Sequence, residues 1–135
     1  METILLVDDE PNLRAMIGEV LAMDGYEVLE AGDGVEACRV EAATPGPIHL
    51  LLTDVMMPGL SGPDLARRLR PRRPRMKTIY MSAFTMVDFN QKQIHLDPGV
   101  PILAKPFTLD ALGRKVRDVL GTNPVSSSPF ATARR

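Results

Sequence analysis

The chain has 135 residues, of which 44% are hydrophobic and 24% charged, and its formal net charge is -1. This length fits one domain with a substantial core, and the composition excludes disorder as the dominant state. The near-zero charge excludes a global attraction to nucleic acid or to an anionic membrane.

The sequence carries no signal for membrane insertion or for a disulfide. No apolar run approaches the roughly 18 residues of a spanning helix, and acids follow the first apolar run where a signal peptide would still be apolar. We therefore expect a cytoplasmic protein. Cys38 is the only cysteine, so it cannot form an internal disulfide, and we interpret it as a small buried or half-buried hydrophobic residue.

The first part of the chain alternates strand and helix patterns. Residues 4–7 are a short, unbroken apolar run, which is typical of a strand buried on both faces. Pro11 suits the first turn of a helix that ends near Gly25 and whose apolar residues recur at helical spacing: Leu13, Met16, Ile17, Val20 and Leu21. Residues 26–31 predict a second strand, and residues 35–43 predict a second helix.

The same alternation continues after two prolines. Residues 48–53 predict a third buried strand that ends at Asp54, and a loop rich in proline and glycine follows it. Pro63 opens a short helix that Pro71 closes, with Leu65, Ala66 and Leu69 turned inward. Residues 78–82 predict a fourth strand.

The last part predicts one more strand and helix. Residues 100–104 form the fifth strand pattern, and Thr108 can cap a helix bearing Leu109, Leu112, Val116, Val119 and Leu120. Between Phe84 and Pro98 the apolar stripe that a helix needs is interrupted by Asn90, Gln91, His95 and Asp97. We expect a single domain over residues 1–121 and a flexible tail or linker remnant over residues 122–135, which are rich in Ser, Pro and Thr.

This order of elements predicts an α/β fold, a doubly wound parallel sheet with helices on both faces. In such sheets, ligands bind outside the carboxyl ends of the strands. Five polar residues should therefore share one rim of the sheet: Asp8, Asp9, Asp54, Ser82 and Lys105. Together they point to a functional site.

The residue types at this rim suit metal-assisted phosphoryl transfer. Three neighbouring carboxylates repel one another unless a cation neutralises them, and oxygen ligands favour Mg²⁺, with Mn²⁺ as an alternative, over zinc. Beside such a cation, Asp54 can attack a phosphoryl donor to give an acyl phosphate. The Lys105 ammonium and the Ser82 hydroxyl can bind phosphoryl oxygens.

Four motifs carry a resemblance to a known family: LLVDDE, the LLTDVMMPGLSG block around Asp54, the MSA step and the AKPF step. The chain resembles the receiver domains of two-component response regulators over roughly residues 3–120, and it is similar to the single-domain chemotaxis regulator. The resemblance implies a flavodoxin-like, five-stranded parallel sheet of order 2-1-3-4-5. The stretch LDPGVPILAKPFT also resembles receivers attached to hybrid histidine kinases.

The resemblance also implies a role for each residue at the rim. Asp54 would be the phosphoacceptor, while Ser82 and Lys105 would bind the phosphoryl group. The metal ligands would be Asp54 and Asp9 directly, Asp8 through water, and the backbone carbonyl of Met56. The peptide before Pro106 is commonly cis in this family.

Three positions depart from the family pattern. Ile102 stands where the family usually has its switch aromatic, three residues before the lysine, so the usual coupling of that aromatic to the hydroxyl residue is in question. The positions that tune dephosphorylation are apolar, Met56 and Phe84, and we therefore expect a long-lived phosphorylated state.

Other conspicuous residues have simpler interpretations. His49 and His95 show no partner pattern and are expected to have structural or surface roles. A cluster of six arginines should form a solvated basic turn far from Asp54, with a partner contact as the alternative: Arg67, Arg68, Arg70, Arg72, Arg73 and Arg75.

The leading functional hypothesis is a non-enzymatic signalling module of a two-component phosphorelay. Its partners would be a histidine kinase or histidine phosphotransfer protein and an unknown output protein, with no nucleic acid and no membrane; phosphorylation-dependent homodimerisation stays open. Because only a short stretch follows Gly121, we expect no DNA-binding domain. Whether the chain is a free-standing regulator or the receiver of a hybrid kinase also stays open.

Two alternatives belong to other classes. An Mg²⁺-dependent phosphohydrolase with an aspartate nucleophile would use the same chemistry, but such enzymes usually have a second acid where Met56 stands. A nucleotide- or flavin-binding domain needs a loop rich in glycine or hydroxyls after the first strand, and DDEPN is the opposite of such an anion cradle.

Overall fold

A computed structural model describes residues 1–83 and 94–121 of the chain. The elements in this part are β1 (Thr3–Val7), α1 (Pro11–Met23), β2 (Glu27–Ala31), α2 (Gly34–Ala42), β3 (Leu50–Asp54), α3 (Gly62–Leu69), β4 (Lys77–Ser82), β5 (Ile102–Ala104) and α4 (Leu109–Leu120). Most of the segment in which the apolar stripe is interrupted, and the whole of the expected tail, lie outside these residues. None of the helices in these ranges could span a bilayer.

The five strands form one parallel sheet in the order β2-β1-β3-β4-β5, which confirms the predicted fold. In the register of the sheet, Val7 is level with Ala31 of β2 and Thr53 of β3. The residues that follow β1, β2 and β3 therefore emerge at the same edge. Because every strand runs the same way, the carboxyl ends of all five meet there.

Two apolar layers cover the two faces of the sheet. On one face, Leu5 and Leu51 pack with Leu65 and Leu69 of α3 and with Ala37 of α2. On the other, alternate strand residues pack against α1 and α4: Ile4, Leu6, Leu50 and Leu52 meet Ile17, Leu21, Leu112 and Val116. The central strands β1 and β3 are buried along their whole length, as their unbroken apolar runs predict.

Side chains at the helix ends explain where several helices begin. Asp33, Ser61 and Thr108 are the N-cap residues of α2, α3 and α4, and each accepts a hydrogen bond from a backbone N–H three residues later. Gly121 follows α4 with a φ of 71°, a left-handed conformation that glycine adopts without strain. The predicted cap at Thr108 is thus confirmed.

Some predicted details differ from the structure. Met16 and Leu109 lie on the predicted apolar stripes but are 48% and 40% exposed. Val100 precedes β5, which begins at Ile102. The apolar stripe predicts which face of a helix turns inward. The extent of the neighbouring elements decides which residues of that face are buried.

The arginine cluster is less solvated than predicted. Arg73 is only 15% exposed, and its guanidinium donates to the Glu41 carboxylate and to the backbone carbonyls of Glu41, Thr44 and Gly46. Arg72 also pairs with Glu41, whose side chain is 4% exposed. The prediction of a solvated turn is therefore wrong for Arg73, which ties the end of α3 to the end of α2.

Other members of the cluster bind the segment before β5. Arg67 and Arg70 both pair with Asp97, and Arg67 also donates to the backbone carbonyl of His95. His49 accepts a hydrogen bond from the backbone N–H of Thr3 through Nδ1, which is the structural role expected for it. Cys38 is half-buried against the core, also as expected.

Candidate functional site

The carboxyl ends of the strands place the predicted residues at one edge. Asp8 directly follows β1, Asp54 ends β3, Ser82 ends β4, and Lys105 directly follows β5. The backbone N–H of Lys105 donates to the Ser82 carbonyl at 2.8 Å, so the residue that follows β5 lies against the end of β4. The peptide between Lys105 and Pro106 is cis, in agreement with the expectation for that bond.

Three carboxylates converge at this edge. One carboxylate oxygen from each of Asp8, Asp9 and Asp54 lies within 4.8 Å of the other two. Asp8 is fully buried, Asp54 is 8% exposed and Asp9 is exposed. This group could hold a metal ion, and its all-oxygen donor set suits a hard divalent cation.

Lys105 joins two of these acids. Its Nζ donates to Asp8 Oδ2 at 3.0 Å and to Asp54 Oδ2 at 3.1 Å, and its side chain is 18% exposed. Burial lowers the pKa of the Lys105 ammonium, but the attraction of Asp54 and its hydrogen bonds to both carboxylates outweigh that effect and raise it. Lys105 is therefore charged at neutral pH.

The electrostatic environment disfavours the ionised form of Asp54. Burial raises its pKa most, the Lys105 ammonium lowers it, and the neighbouring charges of Asp8 and Asp9 raise it again, so that it reaches about 6. One ammonium does not offset the burial of this carboxylate beside two others. The site therefore carries an uncompensated negative charge that a cation would neutralise.

Hydrogen bonds separate the roles of the two adjacent acids. Asp8 Oδ1 accepts from the backbone N–H of Glu10, and Asp8 Oδ2 accepts from Lys105, so both oxygens already have a donor. Asp9 has no side-chain hydrogen bond within the described ranges. Asp54 Oδ1 likewise has none there, since Lys105 uses Oδ2. Within the part of the chain that the structure describes, the oxygens open to a cation are thus those of Asp9 and one of Asp54.

Four further residues were singled out from the sequence: Ser82, Met56, Phe84 and Ile102. Ser82 is 3% exposed, and Met56 is half-buried two residues after Asp54. Phe84 lies outside the described residues, so its place relative to Asp54 stays a prediction. Ile102 is 38% exposed on β5.

Two residues important for the geometry were not singled out from the sequence. A Cβ on Gly62 would lie 2.2 Å from the backbone oxygen of Asp54, so only glycine fits there. Arg14 donates to the backbone carbonyl of Asp8 at 2.7 Å. The glycine in the PGLSG stretch was a visible signal for the first, whereas Arg14 looks like an ordinary exposed helix residue in the sequence.

Comparisons with known proteins agree with this geometry. The model of the response regulator receiver domain family matches residues 4–117. The sensor kinase CckA of Brucella abortus is 36% identical over 87% of this chain, which spans only 12% of that kinase. The response regulator receiver protein CpdR of the same organism is 32% identical, over 89% of this chain and 98% of CpdR.

A solved structure of a response regulator is also similar to this chain. The response regulator TrrA of Thermotoga maritima, crystallised in complex with Mg²⁺-BeF, is 32% identical with a TM-score of 0.70. The alignment covers 88% of this chain and 99% of TrrA.

Proposed function

This chain belongs to the response regulator receiver domain family of two-component signalling, and on that premise we propose that it stores a signal as a phosphoryl group on Asp54. The observation that carries the proposal is the convergence of Lys105 on Asp8 and Asp54 within a cluster of three carboxylates. The phosphoryl group would come from a histidine kinase or a histidine phosphotransfer protein.

We propose Mg²⁺ as the cation of the site. Asp9 and the open oxygen of Asp54 would bind it directly, Asp8 would bind it through water because both its oxygens are already engaged, and the Met56 carbonyl would complete the protein ligands. The TrrA complex with Mg²⁺-BeF supports this choice. Bound there, the ion supplies positive charge to the oxygens of the group in transfer.

The chain's own residues divide the remaining work. The Asp54 oxygen that does not bind the cation, Oδ2, attacks phosphorus in line, the bond between phosphorus and the donor nitrogen breaks, and the donor imidazole keeps that electron pair and takes up a proton. Lys105 is already hydrogen-bonded to Asp54 and would follow the new acyl phosphate by donating to a phosphoryl oxygen. Ser82 would donate its hydroxyl to another.

Two apolar residues at the positions that tune dephosphorylation would make the acyl phosphate long-lived. Met56 offers no hydrogen bond that could orient an attacking water molecule, and Phe84 would offer none either. We expect slow hydrolysis in the isolated protein. A half-time as short as that of a chemotaxis regulator would contradict this part of the proposal.

The experiment is treatment with acetyl phosphate and Mg²⁺ followed by intact mass measurement. We expect one added phosphoryl group that is stable in acid and labile in base, and none in Asp54→Asn. Asp64→Asn is a matched control, because it removes an exposed carboxylate on α3. Continued turnover of acetyl phosphate without a stable adduct would instead indicate a phosphohydrolase.

The relatives leave two arrangements for the signalling partner. CpdR is a receiver protein of about this length, whereas CckA is a sensor kinase much longer than this chain. Binding of the phosphorylated and unphosphorylated chains to candidate kinases and phosphotransfer proteins would separate a free-standing regulator from a receiver that acts within a kinase.

A further inference from the structure

Arg14 links helix α1 to the segment that carries the adjacent acids. This residue lies in the first turn of α1, and its Nη1 donates to the backbone carbonyl of Asp8 at 2.7 Å. Its Nε donates to Glu30 Oε1, at the end of β2, at 3.3 Å. The guanidinium therefore spans the carboxyl ends of two neighbouring strands, and its planar fork suits two simultaneous bonds.

Two glycines make room for this pair. A Cβ on Gly18, inside α1, would lie 2.7 Å from Glu30 Oε2, and a Cβ on Gly32 would lie 3.2 Å from Arg14 Nη1. Glycine inside a helix costs about 1 kcal/mol relative to alanine, so helix stability does not explain Gly18. Its lack of a side chain instead lets the Glu30 carboxylate lie against α1 and hold Arg14.

Arg14 completes the support of Asp8. The two carboxylate oxygens of Asp8 are held by Glu10 and Lys105, and its carbonyl is held by Arg14. Asp9 has no side-chain hydrogen bond of its own within the described ranges. The direction of the Asp9 side chain toward the site therefore depends on how firmly the backbone on either side of Asp9 is fixed.

We propose that Arg14 is a positioning residue for the Mg²⁺ site, holding the Asp8 backbone so that Asp9 faces the cation. This inference rests on the proposed function. The charge and the positioning role of Arg14 have opposite effects on Mg²⁺ affinity, because a guanidinium this close to a cation site also repels the cation. Loss of the positive charge alone would tighten Mg²⁺ binding, whereas loss of positioning weakens it.

The test measures Mg²⁺ affinity of the full chain by titration calorimetry, without a phosphodonor. Arg14→Gln should raise the Mg²⁺ dissociation constant roughly tenfold, as loss of an outer support of a metal site commonly does. It should also shift the amide NMR signals of Asp9 and Glu10 in the metal-free protein. Arg39→Gln, which removes an exposed arginine of α2, is the charge-matched control and should leave the affinity nearly unchanged.

Gly18→Ala provides a second variant that keeps both charges. It should displace the Glu30 carboxylate and weaken Mg²⁺ binding in the same direction but less, while the helix gains stability. If Arg14→Gln does not fold, the Mg²⁺ affinity of Gly18→Ala decides whether Arg14 positions the metal site. Unchanged or tighter Mg²⁺ binding in the folded variants would overturn the inference.

The outcome also separates this inference from the proposed function. Mg²⁺ binding that weakens in Arg14→Gln, together with no phosphoryl group on Asp54 of the parent, would refute only the proposed function. Phosphorylation of the parent with equal Mg²⁺ affinity in parent and variant would refute only the role of Arg14. A parent that binds no Mg²⁺ would refute both.

Discussion

Replacing Asp54 with asparagine tests whether burial or the ion pair with Lys105 controls the stability of the metal-free site. Lys105 Nζ lies 3.1 Å from Asp54 Oδ2, so a simple count of ion pairs predicts that Asp54→Asn destabilises the fold. The pKa of Asp54 predicts the opposite. Burial raises it more than Lys105 lowers it, and Asp8 and Asp9 add to the rise, from 3.8 to about 6.

The magnitude follows from the linkage between proton binding and folding. A tenfold change in proton affinity corresponds to about 1.4 kcal/mol, so the ionised Asp54 costs the folded state up to about 3 kcal/mol at neutral pH. Asparagine removes the charge and keeps an oxygen that can accept from Lys105. In the absence of divalent cations, we therefore expect Asp54→Asn to raise the free energy of unfolding by about 1–3 kcal/mol.

The pH dependence has a definite sign. Because the folded-state pKa of Asp54 lies above its unfolded value, the parent loses stability as the pH rises from about 4 to about 6. Asp54→Asn does not have this loss. The advantage of the variant should be absent below pH 4, about half of its full size at pH 5, and constant above pH 6 to 7.

Urea unfolding followed by far-UV circular dichroism measures the effect, since the chain has no tryptophan. The measurements are made with a chelator at pH 5 and pH 8, and Glu19→Gln, an exposed position of α1, controls for the loss of one charge. Added Mg²⁺ should reduce the gap by binding the folded parent more tightly than the variant. A variant less stable than the parent at pH 8 would refute the reasoning, as would a gap independent of pH.

Three further substitutions test other contacts. Lys105→Met removes the ammonium that lowers the pKa of Asp54, so an NMR titration of the Asp54 carboxyl carbon in the metal-free protein should show a pKa above 6. Gly62→Ala places a Cβ against the Asp54 backbone oxygen and should cost about 1–3 kcal/mol of stability in urea unfolding. Arg73→Ala leaves the buried charge of Glu41 poorly paired and should cost about 3 kcal/mol by the same measurement.

Each of these variants has a matched control or a clear contrary result. A pKa of Asp54 that stays near 6 or falls in Lys105→Met would contradict the first. Gly46→Ala adds a Cβ that contacts nothing within 4 Å and should leave stability nearly unchanged. Arg72→Ala removes a partner of Glu41 that is 60% exposed, so its cost should be smaller than that of Arg73→Ala.

Much of the fold was predictable from local patterns. The unbroken apolar runs of β1 and β3 predict strands covered on both faces, and the residues that end them lie at one edge because parallel strands share a direction. The same rule placed Asp8, Asp54 and Lys105 together before any distance was known. The order of the strands came from the family resemblance of the motifs.

The supporting contacts were not predictable in this way. Arg73 belongs to a run of arginines that suggests a solvated turn, yet it binds the Glu41 carboxylate and three backbone carbonyls in and just after the last turn of α2. Arg14 and Gly18 acquire their roles only through Glu30 of another element. Each of these contacts joins residues distant in sequence, and a pattern within one segment carries no information about its neighbours in space.

By itself, the amino-acid sequence determined the alternation of strands and helices, the cap of the last helix and the set of polar residues at the carboxyl edge, because these depend on local side-chain chemistry and chain direction. Only the tertiary structure decided how charge is balanced there. Burial, two neighbouring carboxylates and one ammonium together set the pKa of Asp54, and their balance depends on distances and solvent exclusion that exist only when the chain is folded.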